Sequence, residues 1–301
     1  MIKNLVVAGG GTLGSQIAFQ SAYFGKNVTI YDISDQALEA AKGRIEKLET
    51  EYKNYFNVDQ SVVDKVADGI TYSSDLKEAT ADADLVIEAV PESDKIKESY
   101  YKQLMEVIPD NTLIGTNTST MLPSHIAQYV GEKDLYRFSA THYANHVWAS
   151  NTFEIMPVQE TATETTDALV QFANETGLTP VVLKKEQAGY ILNSLLIPWF
   201  YGGLRLWADD IADPAEVDKV WMIDLRVKRG PFAEMDVVGT RTVLDITKRD
   251  FGDSDDKTML KAIDKLQEMV DNKEYGRETN KGFYTYPNPS FMDVKIAEMD
   301  K

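Results

Sequence analysis

Leu5-Val6-Val7-Ala8-Gly9-Gly10-Gly11-Thr12-Leu13-Gly14 opens a stretch that continues as an apolar-periodic segment to Phe24 and ends in Val28-Thr29-Ile30-Tyr31-Asp32. It reads as strand, glycine turn, helix, strand and acid. Gly9, Gly11 and Gly14 occupy the three positions of G-x-G-x-x-G. In such a turn the first glycine permits the tight bend and the second lets backbone approach a pyrophosphate. The third lets helix and sheet pack closely. The free N–H groups at the helix start, over Gly11, Thr12, Leu13 and Gly14, are then placed to face phosphate. Asp32 falls 18 residues after Gly14, at the end of the second strand. A carboxylate there accepts hydrogen bonds from a ribose 2′-hydroxyl and repels a 2′-phosphate, so the predicted cofactor is NAD(H) rather than NADP(H). The flanking strand, helix and acid give the glycine motif the context it needs to carry weight.

Working outward, the 301 residues suffice for one large or two ordinary domains. The first strand begins near residue 4, so Lys3 and the apolar residues after it read as strand and not as a signal peptide. No apolar run approaches the roughly 18 residues of a membrane span, and no membrane association is predicted. The net charge of −17 leaves no basic face for nucleic acid. The chain has no cysteine, which excludes disulfides, thiolate metal sites and cysteine nucleophiles. No metal site is predicted, and a cytoplasmic location is expected.

Downstream the pattern alternates as a parallel sheet with crossover helices requires. Ser34 is placed to cap a helix to about Tyr55, and a second helix is predicted over Gln60–Ala67. A strand over Ile70–Ser73 and a short helix capped by Ser74 follow. Leu85–Val90 is continuously apolar apart from Glu88, as suits a strand buried on both faces. Glu88 and Glu92 lie at its carboxyl end, where ligands gather in open α/β sheets. They either serve the site or cap the helix predicted over Asp94–Ile108. Leu113–Thr116 runs into Asn117-Thr118-Ser119-Thr120, another strand end, and Pro123 starts a helix at its first position. Strands over Arg137–His142 and Asn151–Pro157, a helix ending at Gly177 and a strand over Thr179–Leu183 complete the sheet. Near residue 185 helical periodicity takes over. The fold class is therefore α/β, with a Rossmann-type NAD-binding domain over residues 1–185 and an all-α domain over 186–301. The helix over Tyr190–Ala208 is too apolar for a solvated surface, which predicts burial against a neighbour or a partner subunit. Residues 282–287 read as an extended tail.

Of the three histidines, His142 ends a strand on the carboxyl side of the sheet, and Glu154 follows twelve residues later on a neighbouring extended segment. A histidine beside a carboxylate is either a base with its orienting acid or a buried structural pair. Removal of hydride from an alcohol needs simultaneous loss of the hydroxyl proton, which the first reading supplies. His125 lies within a helix and reads as a surface or satisfied histidine; His146 is a candidate substrate contact.

Taken together these segments resemble the L-specific, NAD-linked 3-hydroxyacyl-CoA dehydrogenase family over nearly the whole chain. Glu88-Ala89-Val90-Pro91-Glu92 is similar to its E-x-V-x-E stretch, and Thr116-Asn117-Thr118-Ser119 to the strand end that carries its serine. His142-Tyr143-Ala144-Asn145 stands at its H-F-F-N, Glu154-Ile155 at its E-V-I, and Gly189-Tyr190-Ile191-Leu192-Asn193 at its G-F-I-x-N. Gly230-Pro231-Phe232 through Asp236 and Gly239 resembles G-P-F-x-x-x-D-x-x-G, and Gly282-Phe283-Tyr284 its terminal G-F-Y. His146 replaces a family proline and Ser194 an arginine. The resemblance implies a catalytic set of His142 as general acid/base, Glu154 as its orienter, and Ser119 and Asn193 as groups that polarise the reacting oxygen or the adjacent carbonyl. It also implies cofactor contacts from Gly9, Gly11, Thr12, Leu13, Gly14, Asp32, Glu92 and Asn117. A short-chain acyl-CoA substrate of fatty acid metabolism and a homodimer built through the C-terminal domain follow from the same likeness. Two other functions stay open. One is a dehydrogenase of a free 3-hydroxy acid or sugar acid, similar to gulonate and carnitine dehydrogenases. The other is a non-catalytic NAD-binding protein, against which the intact Ser119, His142, Glu154 and Asn193 argue.

Overall fold

The computed structural model describes residues 1–296. The chain forms two compact units that divide between Ile191 and Leu192. In the first, β1 (Asn4–Ala8), α1 (Thr12–Tyr23), β2 (Asn27–Tyr31), α2 (Asp35–Phe56), α3 (Gln60–Asp68) and β3 (Thr71–Ser73) form one half of an open sheet. The other half comprises α4 (Leu76–Thr80), β4 (Leu85–Glu88), α5 (Asp94–Val107), β5 (Leu113–Thr116), α6 (Pro123–Val130) and β6 (Phe138–Tyr143), followed by β7 (Thr152–Pro157), α7 (Thr163–Glu175) and β8 (Thr179–Val182). The strand order is β3-β2-β1-β4-β5-β6-β7-β8, so the order reverses between β1 and β4. That crevice is the ligand position of a doubly wound sheet. Pairing is parallel from β3 through β6, whereas β7 runs antiparallel to β6 and parallel to β8.

The central strands are apolar at successive positions because both faces are covered. Leu5 and Val7 of β1 belong to one apolar cluster, with α1, α2 and α7, while Val6 and Ala8 belong to a second, with α5 and α6. Ser34 caps α2 by accepting from the N–H of Ala37, as predicted. At α4 the cap is Asp75, which accepts from Glu78, and not Ser74. Glu88 and Glu92 do not cap α5: the cap residue is Ser93, without a side-chain bond. Glu88 is fully buried instead.

The second unit holds α8 (Tyr190–Ala208, whose first two residues belong to the first unit), α9 (Pro214–Leu225), α10 (Pro231–Val238), α11 (Thr240–Phe251) and α12 (Lys257–Asp271) around one apolar core. The stretch over 282–287, read as an extended tail, forms no strand of its own. It is folded back by two buried acids. Asp236 accepts from the N–H groups of Phe283 and Tyr284 and from the Tyr286 hydroxyl; Asp218 accepts from Phe232 and Ala233 N–H and from the Tyr284 hydroxyl. The aspartate of the G-P-F-x-x-x-D-x-x-G segment therefore stitches the tail to α10.

Candidate active site

The glycine turn divides its labour by space. A Cβ on Gly9, whose φ is +108°, would come within 2.5 Å of the Ala89 carbonyl oxygen, and one on Gly14 would collide with the carbonyl oxygen of Gly9. These two are glycine because the protein itself fills the space. A Cβ on Gly11 would meet nothing within 4 Å. Its freedom serves a visitor, and the N-terminus of α1 that it opens has no side-chain cap. Asp32 follows β2 and accepts from the N–H groups of Gly10 (2.8 Å) and Ile33 (2.8 Å). Each carboxylate oxygen keeps acceptor capacity for a ribose hydroxyl. The uncapped helix start, the open face over Gly11 and the acid at the next strand end fit a dinucleotide with a free 2′-hydroxyl.

At the carboxyl ends of β4, β5 and β6 a second set converges. His142 on β6 and Glu154 on β7 are direct cross-strand partners, and both are about 5% exposed. The antiparallel register explains their spacing, because the intervening turn returns the chain to the same point on the same sheet face. His142 Nδ1 lies 3.0 Å from Glu154 Oε2, and Nε2 lies 3.1 Å from the Ser119 hydroxyl. With the carboxylate accepting from Nδ1–H, the lone pair of Nε2 faces Ser119. The other oxygen of Glu154 accepts from the N–H of Ile191 at 2.8 Å. The Tyr190 ring stacks on the imidazole, with centroids 4.2 Å apart and planes 12° from parallel. Gly189 and Tyr190 both have positive φ, which turns the chain over the dyad as α8 begins. Left-handed backbone at an aromatic residue costs roughly 1–3 kcal/mol and is kept where the surroundings impose it. Burial, then the carboxylates of Glu92, Glu154 and Glu88, push the Tyr190 phenol up, so it stays protonated.

A buried ionic network supports the serine. Lys97 of α5, 1% exposed, places its ammonium 2.7 and 2.8 Å from the oxygens of Glu88 and 3.2 Å from Glu92. Removing one partner of such a buried pair typically costs about 3–5 kcal/mol. Glu88 also accepts from Val90 N–H and from the hydroxyls of Thr116 and Tyr101. Glu92 Oε1 gathers the N–H groups of Ser119 (3.0 Å) and Thr120 (2.9 Å) and the hydroxyls of Thr118 and Thr120. Burial opposes its ionisation, but Lys97 and the Thr118 and Thr120 donors outweigh that and hold its carboxyl down at about 2.

Ser119, His142 and Glu154 lie in the order of a serine-hydrolase triad. The N–H groups beside the serine decide against that chemistry: Ser119 and Thr120 both aim theirs at Glu92 and cannot stabilise an oxyanion. What remains is a hydroxyl and an imidazole able to share a proton with a substrate oxygen. Asn117 donates its N–H to the Glu88 carbonyl at 2.8 Å, and its side-chain oxygen accepts from Tyr143 N–H at 3.0 Å, which ties the β5 end to β4 and β6. His146 has φ +59° and its N–H is held by Gln16 of α1, while its ring packs edge-on against Trp148. His125 pairs with Asp94 on the surface. Asn193 lies in the first turn of α8, within the second unit. Sequence reasoning missed Lys97, Tyr190 and Ile191 N–H. Tyr190 and Ile191 fall in the segment compared with G-F-I-x-N but were given no role there, and Lys97 left a trace of its own: Lys97, Tyr100, Tyr101 and Leu104 share the buried stripe of α5, so a lysine stands where an apolar residue belongs.

An NAD-binding sheet with an acid–imidazole pair at its carboxyl edge defines a nicotinamide-linked dehydrogenase. Residues 4–187 match the 3-hydroxyacyl-CoA dehydrogenase NAD binding domain, and residues 189–286 match the 3-hydroxyacyl-CoA dehydrogenase C-terminal domain. The chain belongs to the 3-hydroxyacyl-CoA dehydrogenase family and is an NAD-dependent oxidoreductase. A probable 3-hydroxyacyl-CoA dehydrogenase of Caenorhabditis elegans is 31% identical over 95% of this chain and 93% of its own. Among solved structures, a diketoreductase described in dual catalysis of dicarbonyl compounds is 43% identical, with a TM-score of 0.88 over 95% of this chain and 99% of that one. The (S)-3-hydroxybutyryl-CoA dehydrogenase PaaH1 of Ralstonia eutropha is 25% identical, with a TM-score of 0.80 over 96% and 100% of the two chains. Among the described residues no helix is long and apolar enough to cross a membrane.

Proposed function

We propose that this enzyme interconverts an L-3-hydroxyacyl-CoA and its 3-oxoacyl-CoA, with His142 as the general acid/base. The observation that carries the reading is the continuous run of contacts Glu154–His142–Ser119, 3.0 and 3.1 Å, at the carboxyl edge of the sheet. In the oxidising direction His142 Nε2 takes the proton of the C3 hydroxyl, displacing the Ser119 hydroxyl as its partner. Glu154 holds Nδ1–H and stabilises the imidazolium that forms. Ser119 then donates to the developing C3 carbonyl oxygen, and Asn193 is assigned to the same oxygen or to the neighbouring thioester carbonyl. Bound NAD supplies the hydride acceptor. In the reverse direction the imidazolium returns its proton. Glu92, beyond the end of β4, and Asn117, beyond the end of β5, are assigned to the cofactor side.

A second reading keeps the chemistry and removes the coenzyme. The diketoreductase relative points to small dicarbonyl compounds. Of the four cations on α2 that could meet a CoA phosphate, three are engaged locally and Lys47 is exposed. Lys42 pairs with Glu39 and Lys53 bonds Gln60, while Arg44 donates to the Gly10 carbonyl. A chain of net charge −17 also resists a polyanion.

The homodimer belongs to the same proposal. Leu195 of α8 and Val220, Ile223 and Leu225 of α9 are exposed, and Trp199 and Trp221 join the two helices at 5.2 Å. Apolar side chains collected on neighbouring helices fit a second copy of the same surface.

NADH oxidation with acetoacetyl-CoA, ethyl acetoacetate and free acetoacetate separates the readings. Preference for the thioester by 10-fold or more in kcat/KM supports the first, and preference for the CoA-free compounds supports the second. His142→Gln should lower kcat by roughly 10²–10⁴ while NADH binding persists; unchanged turnover overturns both.

A further inference from the structure

We propose that Glu92 and Lys97 are positioning residues for this reaction, holding the 118–120 loop so that the Ser119 hydroxyl meets Nε2 of His142. The inference rests on the acid/base reading of His142 and goes beyond it by naming what aims its partner. Ser119 leaves β5 on a segment without regular structure, half-buried, and Thr120 beyond it is exposed. Glu92 takes up both their N–H groups as well as the hydroxyls of Thr118 and Thr120, a nest closed by the protein's own carboxylate. Thr118 Oγ1 in turn accepts from Met121 N–H, which extends the hold by one residue.

The carboxylate is itself fixed from behind. Lys97 is buried on α5 and gripped by both oxygens of Glu88, and Glu88 is tied to β5 through the Thr116 hydroxyl and to α5 through that of Tyr101. Ammonium, second carboxylate and loop thus form one chain of contacts from the body of α5 to the backbone of Ser119. A polar network this deep is costly if left half-satisfied, so its members constrain one another closely. The consequence is for geometry. With the loop free, the Ser119 hydroxyl samples positions away from Nε2, and misplacement by about 1 Å is enough to slow a proton transfer severely.

The test is a double-substitution cycle on the full chain with NADH and the preferred 3-oxo substrate. Glu92→Gln keeps the shape and weakens the grip; Ser119→Ala removes the group being aimed. Measured at saturating NADH, Glu92→Gln alone should lower kcat about tenfold or more. Added to Ser119→Ala it should change kcat no further, because partners acting through one another are not additive. Thr118→Val, which removes one donor to Glu92 and leaves the ion pair intact, should act in the same direction with smaller size. It keeps the test open should Glu92→Gln fail to fold. Independent effects that multiply in the double variant overturn the proposal. So does a raised KM for NADH at unchanged kcat, which would make Glu92 a cofactor contact only. Full activity of His142→Gln would defeat the acid/base reading instead, so the two failures are distinguishable.

Discussion

Asp32 performs two tasks at once. Its carboxylate accepts from the Gly10 N–H within the glycine turn and stands at the strand end where the ribose is read. Asp32→Ala therefore does more than erode discrimination. It should raise KM for NADH on the order of tenfold by loosening the turn, and narrow the NADH to NADPH preference by removing the charge that repels a 2′-phosphate. Steady-state kinetics with both cofactors check this; an undiminished preference would mean that another residue reads the ribose. The other site residues share this economy. Glu154 turns one oxygen to His142 and the other to Ile191 N–H. Glu92 spends one oxygen on the serine loop and the other on Lys97.

At the scale of elements, the α10 and tail assembly carries a pH dependence. Burial first, and then Asp218 nearby, push the Asp236 carboxyl up to about 6, against the lowering effect of its Phe283, Tyr284 and Tyr286 donors. Its folded value lies above the ordinary value of 3.8, so between these pH values the folded state binds more protons than the unfolded chain. This group's contribution is full below about pH 4 and declines as pH rises through about 6. Glu92 works in the opposite sense. Held down at about 2, it contributes above its unfolded value and loses that contribution as the solution is acidified. Comparing thermal melts of the protein with those of Asp236→Asn isolates the first effect. Between pH 4 and pH 6.5 the substitution should remove a slope on the order of 1–3 kcal/mol. Identical slopes would show that Asp236 does not titrate in that range.

At the scale of the molecule, the exposed apolar side chains of α8 and α9 set an assembly prediction. Leu195 is 70% exposed and stands one helical turn before Trp199, on the face that meets Trp221. If the proposed dimer forms through this face, Leu195→Glu shifts the sedimentation coefficient toward that of a monomer at micromolar concentration. A dimer that survives it unchanged would place the subunit contact elsewhere. No single strand of the sheet holds the site. The glycine turn follows β1, Glu88 ends β4, Ser119 follows β5 and His142 lies on β6, so the parallel order that brings these ends together is what makes a site of them.

The periodic and local features were legible in the chain alone. Apolar runs, the glycine motif with its acid, the Ser34 cap and the change to helical periodicity near residue 185 depend on neighbours within a few residues. The strand positions, though not every end (β4 stops at Glu88, short of Val90), and the His142–Glu154 partnership could be anticipated for the same reason, since a short antiparallel return pairs residues twelve apart. The Asp75 cap and the folded-back tail escaped because competing local choices looked alike, and only distant contacts chose between them. Lys97 against Glu88 and Glu92, the Tyr190 ring on the imidazole and the Ile191 N–H on Glu154 are decided by tertiary structure. Each joins groups carried by different elements, and their positions follow from how helix and loop pack on the sheet edge. No sequence period encodes that packing.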